Sequence, residues 1–171
     1  MDGRITGMNA LRHNKLIDTG AVFLAQVPRL SAYPALLRRG LLFALQKFVC
    51  EDRINEFLLN NAAVRDFQFI DQVFTHLKID YIAGDQDIYH IPPKGRVIIV
   101  ANHPLGGLDG LALLRLIASV RLDVRIVANE LLLHINQLNN LLLPIDVIGG
   151  GTKKADINRI KQALYNDEAV I

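Results

Sequence analysis

The chain has 171 residues, and 19 Lys and Arg against 17 Asp and Glu leave a formal net charge of +2. This length fits about one globular domain, and 51% hydrophobic with 21% charged residues exclude a disordered or collagen-like chain. The single cysteine, Cys50, excludes a disulfide framework, so we expect a buried thiol in a reducing compartment. Nucleic acid is excluded as a partner because the net charge is small and aromatic residues make up only 6%.

Charge is distributed unevenly along the chain. Residues 1–50 carry +5, residues 51–90 carry −5 and residues 91–171 carry +2. We interpret residues 1–50 as a basic helical region whose Leu- and Phe-rich stretch, from Pro34 to about Cys50, docks on an anionic membrane surface. The alternative is an amphipathic helix packed on its own domain with its cations in water. Since neither a membrane span of about 18 apolar residues nor a signal peptide is evident, the predicted location is cytoplasmic, peripheral on the inner face of the cell membrane.

In residues 51–171 the spacing of apolar residues changes along the chain. Apolar residues recur at helical spacing on both sides of Asn60-Asn61 and predict two short amphipathic helices. Gly84 to Lys94 is predicted to be an irregular link. Beyond Gly95, short apolar runs alternate with helical patterns. This alternation predicts an α/β fold with a mixed, partly parallel sheet, helices on both faces and helices at the N-terminal side.

The alternation also predicts individual elements. In chain order they are a strand from Val97 to Ala101, a helix from Gly110 to Val120, a strand from Asp123 to Ala128, a helical segment from Glu130 to Leu138, a strand from Leu141 to Val147, a helix from Lys153 to Tyr165 and a strand from Ala169. The first strand is continuously apolar, which is typical of a strand covered on both faces. The last strand stops at Ile171, so we expect an incomplete sheet and a truncated chain.

One loop carries the candidate chemistry. It follows a predicted strand and enters a predicted helix, where open α/β sheets bind ligands, and it reads Asn102-His103-Pro104-Leu105-Gly106-Gly107-Leu108-Asp109. The two glycines allow a sharp turn, so the Asp109 carboxylate can fold back to Nδ1 of His103. Such a pair acts as a general base, because the carboxylate fixes the imidazole tautomer and leaves Nε2 to take a proton. The alternative is structural: Asp109 as the helix N-cap and His103 as a hydrogen-bonded loop residue.

This loop resembles the first motif of the glycerolipid acyltransferase superfamily, the family of 1-acyl-glycerol-3-phosphate acyltransferases. It is similar to a bacterial branch with the proteins called hemolysins and the acyltransferases of ornithine and glycine lipids. The resemblance covers roughly residues 50–171. It implies transfer of a fatty acyl group from acyl carrier protein or coenzyme A to a lysolipid or amino-acid-lipid acceptor. His103 would be the general base and Asp109 its orienting partner, with no cofactor and no metal.

The same resemblance assigns the neighbouring residues. Asn102, Pro104, Gly106 and Gly107 would shape the substrate site, and backbone N–H groups near the two glycines would hold the thioester oxyanion. No covalent acyl-enzyme is implied. Consistent with this, neither serine of the chain, Ser31 or Ser119, lies in a nucleophile elbow.

Three departures from the family pattern bear on function. Five residues separate His103 from Asp109, one more than usual. Val147 stands where phosphate-acceptor members carry an Arg, which favours amino-acid lipids, and the chain ends before a Phe-Pro-x-Gly motif. Two alternatives therefore stay open: a non-catalytic lipid- or partner-binding protein with a degenerate acyltransferase fold, and a metal-dependent hydrolase.

The glycines at 149–151 lack the spacing of a phosphate-binding loop and predict a turn.

Overall fold

The computed structural model describes residues 17–18, 24, 34–48, 50–145 and 153–171, apart from the side chains at 45, 48 and 131. The chain forms two compact units, Met1–Ala62 and Ala63–Ile171. Within the described residues, no helix is long and apolar enough to cross a membrane.

Among the described residues of the first unit, two helices pack on each other, α1 (Ala35–Phe48) and α2 (Glu51–Asn60). The amide of buried Asn55 ties the chain near residue 17 to α2, since it exchanges two 2.8 Å hydrogen bonds with the backbone of Ile17. Cys50 lies in the turn between the helices with φ of 54° and an exposed side chain. The expectation of a buried thiol is therefore wrong, because the chain breaks the helix at this residue.

The second unit contains the remaining elements. In chain order they are α3 (Asp66–Leu77), α4 (Asp85–Tyr89), β1 (Val97–Ile98), α5 (Gly107–Ala118), β2 (Val124–Asn129), two 3-10 turns (Glu130–His134 and Asn136–Leu138), β3 (Leu142–Ile145), α6 (Lys154–Tyr165) and β4 (Ala169–Val170). The predicted irregular link thus contains one short helix, α4. The helical segment predicted after β2 is two 3-10 turns.

The four strands form one sheet in the order β1-β4-β2-β3. Each described pair is parallel, with Val97 and Val124 both in register with Ala169, and Ile126 in register with Leu142. The predicted α/β fold is confirmed. Because all four strands run the same way, their carboxyl ends meet at one edge of the sheet.

Helices cover both faces of this sheet. A Cβ placed on Gly110 of α5 would lie 3.1 Å from the Ile126 side chain of β2, so Ile126 faces α5. The next residue, Val127, packs in one hydrophobic cluster with Ile160 and Leu164 of α6. Since successive side chains of a strand point to opposite faces, α5 and α6 lie on opposite faces of β2.

The first strand departs from its prediction. β1 pairs only with β4 among the described strands, and Ile98 and Val100 are 60% and 89% exposed. The continuous apolar run predicted burial on both faces. That expectation is wrong here, because β1 lies at the edge of the described sheet and the face that carries these two side chains is left uncovered.

Arg121 fixes the opposite, amino-terminal edge of the sheet. Its side chain is 2% exposed, and its guanidinium forms a two-point ion pair with Asp123, at 2.7 and 2.8 Å. The remaining N–H groups donate to the backbone oxygens of Pro92, Gly95 and Asp167. All five donors of the guanidinium are thereby used, and one side chain joins the segments that precede β1, β2 and β4.

Candidate active site

The loop after β1 turns back on itself before α5 begins. The N–H of Gly106 donates to the carbonyl oxygen of His103 at 3.0 Å. Gly106 has φ of 71°, a left-handed value that a residue with a Cβ adopts only with strain. The glycine is therefore needed at this turn, which places His103 at the carboxyl edge of the sheet and delivers the chain to α5.

Asp109 is in the first turn of α5, two residues after the helix begins. Its Oδ2 accepts a 2.7 Å hydrogen bond from the N–H of Leu105. The carboxylate therefore folds back onto the loop backbone at Leu105. The structural alternative placed Asp109 at the N-cap, and this is wrong, since Gly106 occupies that position and forms no side-chain cap.

The imidazole of His103 is exposed. In the part of the chain that the structure describes, no hydrogen bond links it to Asp109, whose Oδ2 accepts from Leu105. Both side chains nevertheless line one cavity. Their pairing as base and orienting carboxylate stays a prediction.

The cavity has a volume of about 470 Å³, within the usual range of small-molecule sites. Most of its wall is apolar and comes from α5, β2, β3 and the second 3-10 turn, including Leu114, Ile126, Leu138 and Leu142. The polar side chains among its lining residues are Asn102, His103, Asp109 and Asn129. A mainly apolar space with a small polar group is chemically suited to a ligand that has a hydrocarbon chain and one reactive polar end.

Gly110 allows α5 and β2 to approach each other closely in one part of the cavity wall. It lies in α5 opposite Ile126 of β2, and both residues line the cavity. Its missing side chain lets helix and strand approach closely, since a Cβ would meet the Ile126 Cδ1 at 3.1 Å. Helix and strand are therefore in close contact at this point of the cavity wall.

Asn129 is a cavity residue that the sequence reasoning missed. It is the last residue of β2 and is in register with Ile145, the last residue of β3. The sequence carries a signal for it: a polar residue directly follows an apolar run at the carboxyl end of a predicted strand, the same position that Asn102 has after the predicted strand from Val97 to Ala101. The predicted strand ends one residue earlier, at Ala128, which leaves Asn129 outside the predicted element.

The other predicted site residues divide into two groups. Asn102, Gly106 and Gly107 line the cavity together with His103 and Asp109. Pro104 is exposed at the loop tip and is not among the described residues that line it. Val147 and the glycines at 149–151 lie outside the described residues. Within the described ranges, no three His, Cys, Asp or Glu side chains cluster as metal ligands would.

The known proteins and the family model that this chain resembles are acyltransferases. A family model described as Acyltransferase matches residues 27–170. The lyso-glycine lipid O-acyltransferase of Bacteroides thetaiotaomicron is 29% identical over 140 residues, which cover 81% of this chain and 49% of that protein. The protein of the same name from Phocaeicola vulgatus is 30% identical over 110 residues, 64% of this chain and 39% of its own length. The chain thus spans about half or less of these relatives. No solved structure matches it significantly.

Proposed function

We propose that this chain, which belongs to the acyltransferase family, transfers a fatty acyl group from a thioester to the hydroxyl of a lysolipid acceptor. One observation carries the proposal: His103 and Asp109 line the same cavity, and the rest of its wall is mainly apolar. The imidazole and carboxylate supply proton transfer, and the apolar wall is suited to an acyl chain.

The reaction needs one base and no further reactant. Nε2 of His103 takes the proton of the acceptor hydroxyl as its oxygen attacks the thioester carbonyl carbon. The carbon–sulfur bond then breaks, and the imidazolium returns the proton to the departing thiolate. The products are an ester and a free thiol, so atoms and charge balance without a covalent acyl-enzyme.

Asp109 is assigned to positioning. A carboxylate has two oxygens, and Oδ2 already accepts from Leu105. In the proposed reactive arrangement, Oδ1 accepts the Nδ1–H of His103. This fixes the neutral tautomer with Nε2 unprotonated and stabilises the imidazolium that forms. Such a hydrogen bond commonly tightens only when substrate is bound.

The N-terminus of α5 is the proposed site for the oxyanion. The first N–H groups of a helix have no acceptor within the helix, and they carry a partial positive charge. The N–H groups of Leu105 and Gly106 are already used, by Asp109 and by the carbonyl of His103. The N–H groups of Gly107 and Leu108 are therefore assigned to the negative oxygen of the tetrahedral intermediate.

The proposed acceptor is a lysolipid that carries an amino acid. The names of the two relatives support O-acylation of such a lipid. Acyl carrier protein and coenzyme A are both retained as acyl donors. Asn102 and Asn129 are assigned to the acceptor, because they supply uncharged amides in a cavity with few other polar groups.

The proposal is tested by acyl transfer to lyso-glycine lipid, with acyl carrier protein and coenzyme A thioesters assayed separately. We expect His103→Ala to lower the rate by about 100-fold or more. The matched control is His90→Ala, which removes an exposed histidine that does not line the cavity. Unchanged transfer by His103→Ala would refute the mechanism. If the unaltered chain binds the lysolipid but transfers nothing from either donor, the non-catalytic alternative replaces it.

A further inference from the structure

Helix α1 turns its apolar side chains outward. Four large hydrophobic residues of this helix are between 49% and 84% exposed: Leu36, Leu37, Leu41 and Phe43. Among the side chains of α1 that the structure describes, those of Arg38, Leu42 and Gln46 are half-buried. They follow one another at intervals of four and so form one stripe along the helix. A helix stabilised only by its own unit would carry mainly polar residues on the surface where the four large apolar ones lie.

The exposed surface of α1 is also basic. The helix contains Arg38, Arg39 and Lys47 and no acidic residue, and the side chains of Arg39 and Lys47 are exposed beside the apolar residues. A second copy of this chain would bring these cations against their equivalents with no carboxylate on the helix to neutralise them. A surface that is apolar and negatively charged complements both properties.

We infer that the outer surface of α1, formed by Leu36, Leu37, Arg39, Leu41, Phe43 and Lys47, docks on an anionic phospholipid bilayer. The leucines and the phenylalanine enter the boundary between headgroups and acyl chains. The two cations remain at headgroup level and contact the lipid phosphates. This inference is independent of the acyl-transfer proposal, since vesicle binding requires neither His103 nor a thioester.

Vesicle co-sedimentation of the full 171-residue chain tests the inference. We expect binding to vesicles that contain phosphatidylglycerol and much weaker binding to pure phosphatidylcholine. Leu36→Gln with Phe43→Gln keeps good helix-forming residues and is expected to lower partitioning by more than about tenfold. Arg39→Gln and Lys47→Gln are each expected to lower it by roughly fivefold, and higher salt is expected to reduce the difference.

The matched control removes two exposed apolar side chains from the other unit, with Leu122→Gln and Tyr165→Gln. This variant is expected to bind vesicles like the unaltered chain, and circular dichroism checks that both double variants keep their helix content. Equal partitioning of the two double variants would overturn the inference. So would a dimer, measured by light scattering without lipid, that Leu36→Gln with Phe43→Gln dissociates, since the surface would then belong to a second copy.

Discussion

The Asp109 carboxylate and the Leu105 N–H are joined by a 2.7 Å hydrogen bond that ties the first turn of α5 to the loop that carries His103. One carboxylate oxygen is thereby committed to the backbone, and the other is available to an imidazole. The same residue thus has two separable roles, one in holding the loop and one in orienting a base.

Substitution at Asp109 distinguishes these two roles. Asp109→Asn keeps an oxygen that can accept from Leu105, so we expect a change in unfolding free energy below about 0.5 kcal/mol. Acyl transfer is expected to fall by roughly 100-fold or more, because the amide carries no charge to stabilise the imidazolium. Asp109→Ala is expected to lose the activity and also about 1 kcal/mol of stability. Urea unfolding measures the change in stability, and the transfer rate measures the change in activity. An Asp109→Asn variant with full activity would mean that Asp109 holds the loop and does not orient His103.

Arg121 is expected to be the most sensitive charged residue of the second unit. Arg121→Met leaves three backbone oxygens and the Asp123 carboxylate without their donor, at an expected cost of about 3 kcal/mol in unfolding free energy. Arg121→Lys is expected to recover little of this, because an ammonium cannot reproduce the planar set of five donors. The control is Arg96→Met, which removes an exposed ion pair with Asp167 at 3.5 Å and is expected to cost less than about 0.5 kcal/mol. Equal losses for the two Met variants in urea would contradict this role.

The same ion pair makes stability depend on pH. The hydrogen bond from Arg121 lowers the pKa of the Asp123 carboxyl below its usual range, an effect that exceeds the opposing effect of burial. The folded state therefore binds this proton less readily than the unfolded chain. Its stabilising contribution is complete above the unfolded pKa of about 3.9 and is lost as the pH falls through the lower folded pKa. We expect the melting temperature of Asp123→Asn to lie below that of the unaltered chain at neutral pH, and the difference to shrink as the pH falls below the unfolded pKa. A constant difference across this range would exclude the effect.

The sequence was sufficient to predict the elements whose pattern is local. The apolar runs at β2 and β3 and the helical spacing of α3 and α6 each identify one element, and their alternation predicts the α/β fold. The turn at Gly106 could be predicted because only glycine readily adopts its positive φ.

Features that depend on distant parts of the chain could not be predicted. The exposure of Ile98 and Val100 follows from the order of strands in the sheet, which the apolar run itself does not specify. The position of Cys50 in a turn depends on where two adjacent helices break. The Asp109 contact with Leu105 depends on loop geometry, since a carboxylate there can accept from the backbone or from His103.

The predicted strand ends at Ala128 and β2 ends at Asn129, so a shift of one residue decides whether Asn129 belongs to the candidate site. Under the proposed function, Asn129→Ala removes an amide from the cavity and is expected to lower kcat/KM for the lysolipid by roughly tenfold, the equivalent of one neutral hydrogen bond. The effect is expected mainly in KM, because the amide is assigned to acceptor binding and not to proton transfer. Asn158→Ala is the control, since it removes an exposed asparagine of α6. A loss confined to kcat, or equal losses in both variants, would contradict this assignment.

The contact of Gly110 with Ile126 predicts a measurable coupling between them. Gly110→Ala gains about 1 kcal/mol of helix propensity, but its Cβ would lie 3.1 Å from the Ile126 Cδ1 and force that methyl group to move. We therefore expect little net change in stability when Ile126 is present. Ile126→Val removes the Cδ1 and itself costs about 1 kcal/mol. In that background Gly110→Ala is expected to stabilise the fold by about 1 kcal/mol, and a double-mutant cycle in urea measures the difference. Strictly additive effects would mean that α5 and β2 adjust freely and that the cavity wall between them is not tightly packed.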